Sequence, residues 1–299
     1  MDGNQSGFHG DSLVTGDLVV IGTDGGDGHV YAFDKSWGSV RWKYPVPRGV
    51  AQNRGVTSDI VRLGPAVLGV TIGDELISLD VESGKPRWTY ESAAPRKEPV
   101  RGSTPAVEAD RVFFAGLDGT LVALDAGTGK PIWKRALGAP ASTPLTLAGD
   151  DLYVGVESDH FFRIDKRTGA IAGDLLADGQ PFGRPTLAAG SLLVYLNWRR
   201  PGSEIVAFDP ALTGVRWRRK LGPDAGAWSS PRTYPWRGTI LAGTTKGELY
   251  ALKPEDGSIA WTHRFPGEIK GIGTTDDLLY VGTMSGMLYA YRPPRAAGP

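Results

Sequence analysis

The sequence predicts an all-β protein of the β-propeller class, with seven blades of four strands each. Three observations predict this fold: a segment that recurs seven times, four short runs of alternating apolar residues in each recurrence, and the near absence of helical periodicity. Repeats of about 40 residues that each contain four strands are typical of propellers. Eight blades are the alternative count, and residues 1–299 are expected to form one domain.

The recurring segment ends an apolar alternation in Asp, places Gly four residues later, and places Trp four residues after the Gly. Asp34, Gly38 and Trp42 form the first copy. The anchor position is Asp in five of the seven copies, and its residues in chain order are Asp34, Asp80, Asp125, Asp165, Asp209, Lys253 and Arg292. These anchors are roughly 40 residues apart, which is a spacing typical of propeller blades.

Each unit contains candidate strands that we name A to D in chain order. In the third unit they are STPAVEA, RVFFAGL, TLVALD and PIWKRAL, separated by the hairpin signals AD, DG and AGTGK. The seventh unit shows strands A (KGIGTTD), B (LLYVGTM) and C (MLYAYR), and then continues as PPRAAGP without a fourth strand. Closed propellers commonly take such a strand from the other terminus, so we expect residues 1–9 to pair near Leu288–Tyr291.

The stretch GTGK (127–130) in the third unit is interpreted as the turn between strands C and D. Asp125 can accept hydrogen bonds from backbone N–H groups two residues on, and Gly129 can adopt the positive φ that this turn requires. A phosphate-binding loop is excluded, because Leu124 and Pro131 occupy positions where such a loop needs Gly and Ser or Thr.

The Trp of strand D is predicted to pack between neighbouring blades. A buried indole removes about 150–250 Å² of surface from water. At about 25 cal/mol per Å², this burial stabilises each contact between blades by at most about 4–6 kcal/mol. The fourth unit has Gly173 in place of the Trp. We therefore expect the contact between the fourth and fifth blades to be weaker or to be filled by another side chain.

The stretches ALDAGTGKPIW, SLDVESGKPRW and ALKPEDGSIAW, with the STP openings at 103–105 and 142–144, resemble PQQ-like β-propeller repeats. The resemblance covers nearly the whole chain. It implies a bacterial, BamB-like or sensor-domain-like propeller that binds a protein or peptide as a non-catalytic scaffold. It also implies an extracytoplasmic location, periplasmic or secreted from a longer precursor. Because the family includes quinoprotein dehydrogenases, a PQQ-binding propeller or a quinoprotein enzyme fragment is the alternative.

Cofactor chemistry is not favoured by the residues present. Quinoprotein enzymes of this family hold PQQ and calcium with Glu and Asn ligands, and often carry adjacent cysteines. This sequence has no Cys, and none of its Asn residues is paired with a nearby Glu in a recognisable motif. We expect no cofactor, no metal site and no catalytic residues. The four histidines lack the spacing of metal ligands: His9, His29, His160 and His263.

Composition also limits the partners. The formal net charge is zero, from 33 basic and 33 acidic residues, which predicts no nucleic-acid partner. No apolar run approaches the roughly 20 residues of a membrane span, so direct membrane insertion is not expected. The start of the chain lacks the basic and apolar regions of a signal peptide. The oligomeric state is left open.

Two polar features admit either a structural or a ligand-binding interpretation. DGGDG (24–28) fits a widened B–C hairpin better than a calcium loop, because it lacks the downstream bidentate Glu. The anchor Asp residues are interpreted as turn residues and not as a ring of ligands. Hydroxyl pairs begin the innermost strands, where they either line a ligand-binding channel mouth or bond to backbone and water: Ser103–Thr104, Ser142–Thr143 and Ser229–Ser230.

Antiparallel strands place the D→A and B→C connections at one end of the ring and the A→B and C→D turns at the other. The first end carries the long connections 45–55, 92–102, 197–203 and 222–228, whereas the second end is nearly uniform, with 234–238 as its main exception. Variable loops on a rigid frame are frequent recognition sites, although plain solvated surface is the alternative. The candidate partner-binding residues are Arg48, Arg54, Arg96, Arg101, Trp198, Arg199, Arg200 and Trp228.

Deletion of residues 1–9 is expected to lower the midpoint of thermal unfolding, because strand C of the seventh unit would lose its predicted neighbour. The measurement is a thermal melt of the full chain and of residues 10–299, followed by circular dichroism. An unchanged midpoint would mean that the seventh blade is completed in another way or left open.

Overall fold

The computed structural model describes residues 10–25, 27–47, 49–50, 53–92, 103–196, 203–222 and 234–293. Every regular element in this part of the chain is a β-strand, and the strands form seven successive antiparallel sheets plus one small additional sheet. The seven sheets are the blades of a seven-bladed β-propeller, so the predicted all-β class and blade number are confirmed.

Strands follow one another in chain order within each of the seven sheets. The first sheet contains β1 (Leu13–Thr15), β2 (Leu18–Gly22), β4 (His29–Asp34) and β5 (Val40–Pro45), and the small sheet contains β3 (Asp24–Gly25), β6 (Gly49–Val50) and β7 (Asn53–Gly55). The second sheet contains β8 (Val61–Leu63), β9 (Ala66–Val70), β10 (Glu75–Asp80) and β11 (Pro86–Glu91). The third contains β12 (Ala106–Glu108), β13 (Arg111–Ala115), β14 (Thr120–Asp125) and β15 (Pro131–Ala136).

The remaining sheets repeat this arrangement. The fourth contains β16 (Thr146–Ala148), β17 (Asp151–Gly155), β18 (His160–Asp165) and β19 (Ile171–Leu176), and the fifth contains β20 (Pro181–Ala188), β21 (Ser191–Leu196), β22 (Glu204–Phe208) and β23 (Val215–Lys220). The sixth contains β24 (Tyr234–Trp236), β25 (Thr239–Gly243), β26 (Glu248–Leu252) and β27 (Ile259–Arg264). The seventh contains β28 (Ile269–Thr274), β29 (Leu279–Thr283) and β30 (Leu288–Tyr291).

Six sheets have four strands, and the seventh has three among the residues that the structure describes. The predicted partner of β30, residues 1–9, lies outside the described residues. The chain divides into two compact units, Met1–Leu152 with Ile164–Ala170 and Tyr153–Arg163 with Ile171–Pro299.

The hydrophobic core of each compact unit lies between consecutive sheets. In the first compact unit, Val20 and Val30 of the first sheet pack with Ile77 and Leu79 of the second sheet. In the second compact unit, a corresponding cluster joins the sixth and seventh sheets, with Leu249 and Leu279 among its buried members. Alternate residues of each strand therefore serve two different interfaces, which explains the apolar alternation of the sequence.

Four of the five Trp residues of strand D donate a hydrogen bond to the turn of the next sheet, which agrees with the predicted packing between blades. The indole N–H of Trp42 donates to the carbonyl of Val81 at 2.9 Å, and that of Trp88 donates to Ala126 at 2.9 Å. The same bond recurs from Trp133 to Lys166 and from Trp217 to Pro254. The acceptor is in every case the residue that follows the anchor position of the next repeat. This interaction joins consecutive blades through one side chain and one carbonyl.

The turn glycines have a second role that the sequence analysis did not identify. A Cβ built on Gly129 would lie 2.6 Å from a ring carbon of Trp88, and one built on Gly84 would lie 2.5 Å from Trp42. Gly129 also has a φ of 69°. The same approach recurs in two further pairs, Gly169 with Trp133 and Gly257 with Trp217. In these four turns the Gly is therefore required both for positive φ and because the indole of the preceding sheet lies against it.

The contact between the fourth and fifth sheets, where Gly173 replaces the Trp, is filled by other residues, which confirms one of the two expectations. The Tyr153 hydroxyl donates to the carbonyl of Pro210 at 2.8 Å, and Pro210 follows its anchor as Val81 and Ala126 follow theirs. Leu212, with a φ of 57°, is only 5% exposed and lies against Gly173. A tyrosine supplies the hydrogen bond and a leucine supplies the apolar volume.

Gly129→Ala is expected to destabilise the protein more than Gly149→Ala. Both glycines have positive φ, but a Cβ on Gly149 meets nothing within 4 Å among the described residues, whereas one on Gly129 collides with the Trp88 ring. Strain at positive φ alone costs about 1 kcal/mol, and the collision adds at least about 2 kcal/mol. Urea unfolding of both variants measures the difference. Equal losses would show that the indole contact does not demand glycine.

Candidate partner-binding surface

Taken over all the sheets together, the lengths of the connections distinguish the two ends. The A→B turns have two residues in the first six sheets and four in the seventh, and the C→D turns have five or six. We call this set the constant end. The B→C and D→A connections, which we call the variable end, range from four residues to the fifteen residues 46–60. The predicted difference between the ends is confirmed.

One predicted exception at the constant end is wrong. The segment 234–238 forms the strand β24 (Tyr234–Trp236) followed by an ordinary two-residue turn, Arg237–Gly238, in which both residues have positive φ. Trp236 is 8% exposed, and its indole N–H donates to the carbonyl of Thr275 at 2.7 Å. This Trp therefore belongs to the core of the second compact unit. The sequence did not show this, because Trp236 lies directly before a turn and outside the repeated Trp position of strand D.

The anchor Asp residues hold the constant end together, as their structural interpretation predicted. The Asp125 carboxylate accepts the Thr128 hydroxyl at 2.6 Å and the Thr128 backbone N–H at 2.8 Å. These bonds, the hydroxyl first, lower the pKa of Asp125 below its usual value. Hydrogen bonds within the turn also lower the pKa of the other anchors: Asp34, Asp80, Asp165 and Asp209. The oxygens of these carboxylates therefore accept hydrogen bonds within the turns.

At the variable end, the B→C connection of the first sheet and the D→A connection to the second sheet join in an additional small sheet. β3, from the B→C hairpin of the first blade, pairs with β7, which in turn pairs with β6. Asp24 lies opposite Gly55, and Gly25 lies opposite Arg54. Gly55 has a φ of 122°, and a Cβ there would overlap the carbonyl of Thr23. The close backbone approach explains this glycine, and the two connections thereby acquire a defined relative position.

The widened hairpin predicted over 24–28 is confirmed, and its second Asp is held by hydrogen bonds. Asp27 accepts the Thr23 hydroxyl at 2.9 Å and the Tyr31 hydroxyl at 3.1 Å, and His29 Nδ1 lies 3.2 Å from it. Burial first, and then the bond to Asp27, raise the pKa of Tyr31. In the part of the chain that the structure describes, no group of three His, Asp or Glu residues could hold a metal ion.

Of the eight predicted partner-binding residues, the described part contains Arg54. It lies on β7 of the small sheet and is exposed. Gly28 packs closely beneath it, since a Cβ on Gly28 would lie 2.5 Å from the Cβ of Arg54. The others lie outside the described residues, and their role stays a prediction: Arg48, Arg96, Arg101, Trp198, Arg199, Arg200 and Trp228.

Two hydroxyl groups at the start of the inner strands bond within the protein, whereas the buried Ser142 hydroxyl has no hydrogen-bond partner among the described residues. The Ser103 hydroxyl donates to the Thr143 carbonyl at 2.8 Å, and the Thr104 hydroxyl donates to the Asp59 carboxylate at 3.2 Å. Asp59 is 7% exposed and also accepts the backbone N–H of Asp11 at 2.9 Å. Asp59 was not singled out from the sequence, although it precedes strand A of its repeat as Thr104 does. Ser229 and Ser230 lie outside the described residues.

A second buried carboxylate links the second and third sheets at the variable end. Asp74 is 1% exposed, has a φ of 63°, and accepts the backbone N–H of Leu117 at 2.8 Å and the hydroxyl of Ser92. Next to it, Glu75 and Glu91 lie directly opposite each other across β10 and β11. The variable end of the second sheet is therefore rich in negative charge, beside connections whose sequence is rich in arginine.

Comparison with known proteins identifies the family. The sequence profile of the PQQ_2 family, described as outer membrane protein assembly factor BamB, matches residues 4–173 and 201–293. The chain belongs to this family. A curated relative, the serine/threonine-protein kinase/endoribonuclease ire-1 of Caenorhabditis elegans, is 25% identical over 210 residues, which are 70% of this chain. The chain spans about a fifth of the length of that relative (21%).

Solved structures share the fold of this BamB-family chain. BamB from Moraxella catarrhalis has a TM-score of 0.76 at 20% identity, covering 95% of this chain and 85% of its own. Sqt1 of Saccharomyces cerevisiae has a TM-score of 0.77 at 12% identity, covering 99% and 85%. A quinohemoprotein alcohol dehydrogenase from Pseudomonas putida HK5 has a TM-score of 0.69 at 13% identity, covering 90% and 61%. Among the described residues of the BamB-family chain, no helix is long and apolar enough to span a bilayer.

Asp125→Asn is expected to destabilise the protein at pH 7 and to have less effect at pH 3. The pKa of Asp125 is lowered in the folded protein, so its charge stabilises the fold above the unfolded value near 3.8. That contribution is lost as the pH falls through the folded pKa. Urea unfolding between pH 7 and pH 3 measures it, with Glu82→Gln, an exposed turn residue, as the control. A difference of constant size at all pH values would contradict the prediction.

Proposed function

We propose that this chain is a non-catalytic scaffold that binds a protein or peptide partner at its variable end. The observation that carries the proposal is the concentration of variation in length in the B→C and D→A connections, which range from four to fifteen residues. Turns that only close a repeated fold do not need to vary, whereas recognition surfaces do. The small sheet of β3, β6 and β7 shows that two of the connections adopt a defined structure of their own.

Charge at the variable end suits a polar partner. Arg54 is exposed on a strand whose backbone is held on both sides by β3 and β6. An arginine on such a support loses little conformational freedom when it binds, which favours its use at an interface. The predicted residues outside the described part are of the same types, Arg and Trp, and we propose that they extend this surface.

Family membership supports a protein partner. The family description names an outer membrane protein assembly factor, and BamB from Moraxella catarrhalis shares the fold. It also supports an extracytoplasmic location, which cell fractionation of the full-length protein would test.

A PQQ-type ligand is the second candidate, because a quinohemoprotein alcohol dehydrogenase shares the fold. The described residues do not fit such a site well. Ser103 and Thr104, which were candidates for contact with a ligand, bond to Thr143 and Asp59. No metal-binding group of three His, Asp or Glu residues is formed within the described ranges. We derive no catalytic step from this arrangement.

The proposal is tested by affinity capture from extracts of the source organism with the wild-type chain and with two sets of variants. One set combines Arg54→Ala with Arg96→Ala and Arg101→Ala, and the other combines Trp198→Ala with Arg199→Ala. A partner captured by the wild type is expected to be reduced at least about tenfold by one of the sets, since central Arg and Trp residues dominate interfaces.

The matched control removes similar charge from the constant end, with Lys85→Ala and Arg167→Ala, both exposed turn residues. It should leave capture unchanged. Loss of capture in this control, with retention in both variable-end sets, would overturn the proposal. Addition of PQQ with Ca²⁺ provides the second arm, because a ligand that binds the folded state raises the thermal midpoint. A rise would favour the alternative function.

A further inference from the structure

Strands C and D of the fourth sheet carry a coupled exchange of residue size. Two residues before the anchor, the six other repeats have Ala or Ser, and in the third sheet that residue, Ala123, lies directly opposite Trp133. The fourth repeat has Arg163 at this position and Gly173 at the Trp position. The large residue has therefore moved from strand D to strand C.

The Arg163 side chain reaches the outer edge of the fourth sheet. A Cβ built on Gly173 would lie 3.4 Å from the Arg163 Cβ, so the two residues share one face. The guanidinium Nη2 of Arg163 donates to the carbonyl of Ala172 at 3.2 Å. Since β19 is the last strand in the order of its sheet, this bond places a positive charge at the sheet edge.

Backbone groups of alternate residues in β19 point away from the sheet. The Ala177 N–H donates to the Asp159 carbonyl, just beyond the paired ends of β18 and β19. Residues bonded to the neighbouring strand recur at every second position of an antiparallel pair. Ala172, Asp174 and Leu176 therefore direct their backbone groups to the edge, and all three residues are exposed. A further strand could pair with these groups.

The corresponding edge of the other blades carries basic side chains. We call the residues directly before and after the Trp position, with the third residue after it, the edge row. In each of the other five four-stranded sheets at least one residue of the edge row is an exposed Lys or Arg, such as Arg41, Arg87, Lys134, Arg218 and Arg264. Charged side chains, and Lys above all, are a common means of preventing exposed edges from pairing.

The edge row of β19 differs in charge from all of these. It consists of Ala172, Asp174 and Leu176, without Lys or Arg. The carboxylate of Asp174 lies 2.6 Å from Nδ1 of His160, and the Leu176 side chain is 64% exposed. The basic group at this edge comes instead from Arg163, on the neighbouring strand.

We infer that Arg163 protects the edge of β19 from antiparallel pairing with a second copy of this chain. It supplies from strand C the positive charge that strand D supplies in the other blades. The edge row of β19 is separate from the B→C and D→A connections, so this inference does not depend on the proposed function.

A second copy is the occupant that this strand fits best in the absence of Arg163. A two-fold axis at Gly173 would place Ala172 opposite Asp174 of the second copy, so that no two like charges of the edge rows face each other. The two Arg163 side chains would approach the axis on the same face of the joined sheet. Their repulsion, and their competition for the Ala172 carbonyl, oppose the pairing.

The test is sedimentation velocity of the full chain over a wide range of protein concentration. The wild type is expected to be monomeric. Arg163→Ala, which introduces the residue that five other repeats have at this position, is expected to form a dimer at least about tenfold more tightly than the wild type, since the repulsion between like charges is removed.

A second substitution distinguishes pairing through β19 from general aggregation. Leu176→Lys, added to Arg163→Ala, places a basic side chain on the exposed edge row and should restore the monomer. Arg163→Lys keeps the charge and should sediment as the wild type does.

The matched control is Arg216→Ala, because Arg216 lies on the edge row of β23, which retains Arg218 and Lys220. It should leave sedimentation unchanged. Circular dichroism verifies that every variant is folded.

Sedimentation of Arg163→Ala as a monomer at all concentrations would overturn the inference. Association of Arg163→Ala that persists after addition of Leu176→Lys would also overturn it, because the contact would then lie elsewhere. A wild-type dimer that Leu176→Lys alone dissociates would show that Arg163 permits the pairing, and would overturn it as well.

Discussion

The contact of a strand D indole with the glycine turn of the next repeat is the interaction on which the rest of this fold depends. It uses one side chain, one carbonyl and one residue without a Cβ, and it recurs from Trp42 to Trp217 with the same partners. A propeller has no single core, since each sheet packs only on its neighbours. A contact that fixes the distance and rotation of consecutive sheets therefore has to be repeated at each interface.

This constraint explains why the two ends differ. The anchor residue, the Gly and the Trp all act at the C→D turns, where insertions would displace the indole or its acceptor. Among the described residues, no indole contact of this kind restricts the D→A connections, which range from four to fifteen residues. In the connection between the first and second sheets, the additional residues form β6 and β7 of the small sheet, in which Arg54 is exposed.

Departures from the repeat follow the same logic. Where Gly173 removes the indole, Tyr153 supplies the hydrogen bond and Leu212 supplies the volume, so the function of the missing residue is divided between two. At Gly38, a built Cβ meets no described atom within 4 Å, and Trp37, which holds the position equivalent to Leu212, is exposed. Comparison with the other blades of the same chain therefore identifies the repeats that depart from the ordinary arrangement of indole, glycine and carbonyl.

The amino-acid sequence by itself determined the fold class, the number of blades, the C→D turns and the division into constant and variable ends, because these follow from local periodicity and turn chemistry. Only the tertiary structure showed the indole that lies against Gly129, the buried carboxylate of Asp59 and the sheet that joins β3 to β7. It also corrected 234–238, where Trp236 is buried against Thr275. Each of these depends on residues about 30 to 45 positions apart in the chain, and a pattern read along one strand carries no information about which repeat lies beside it.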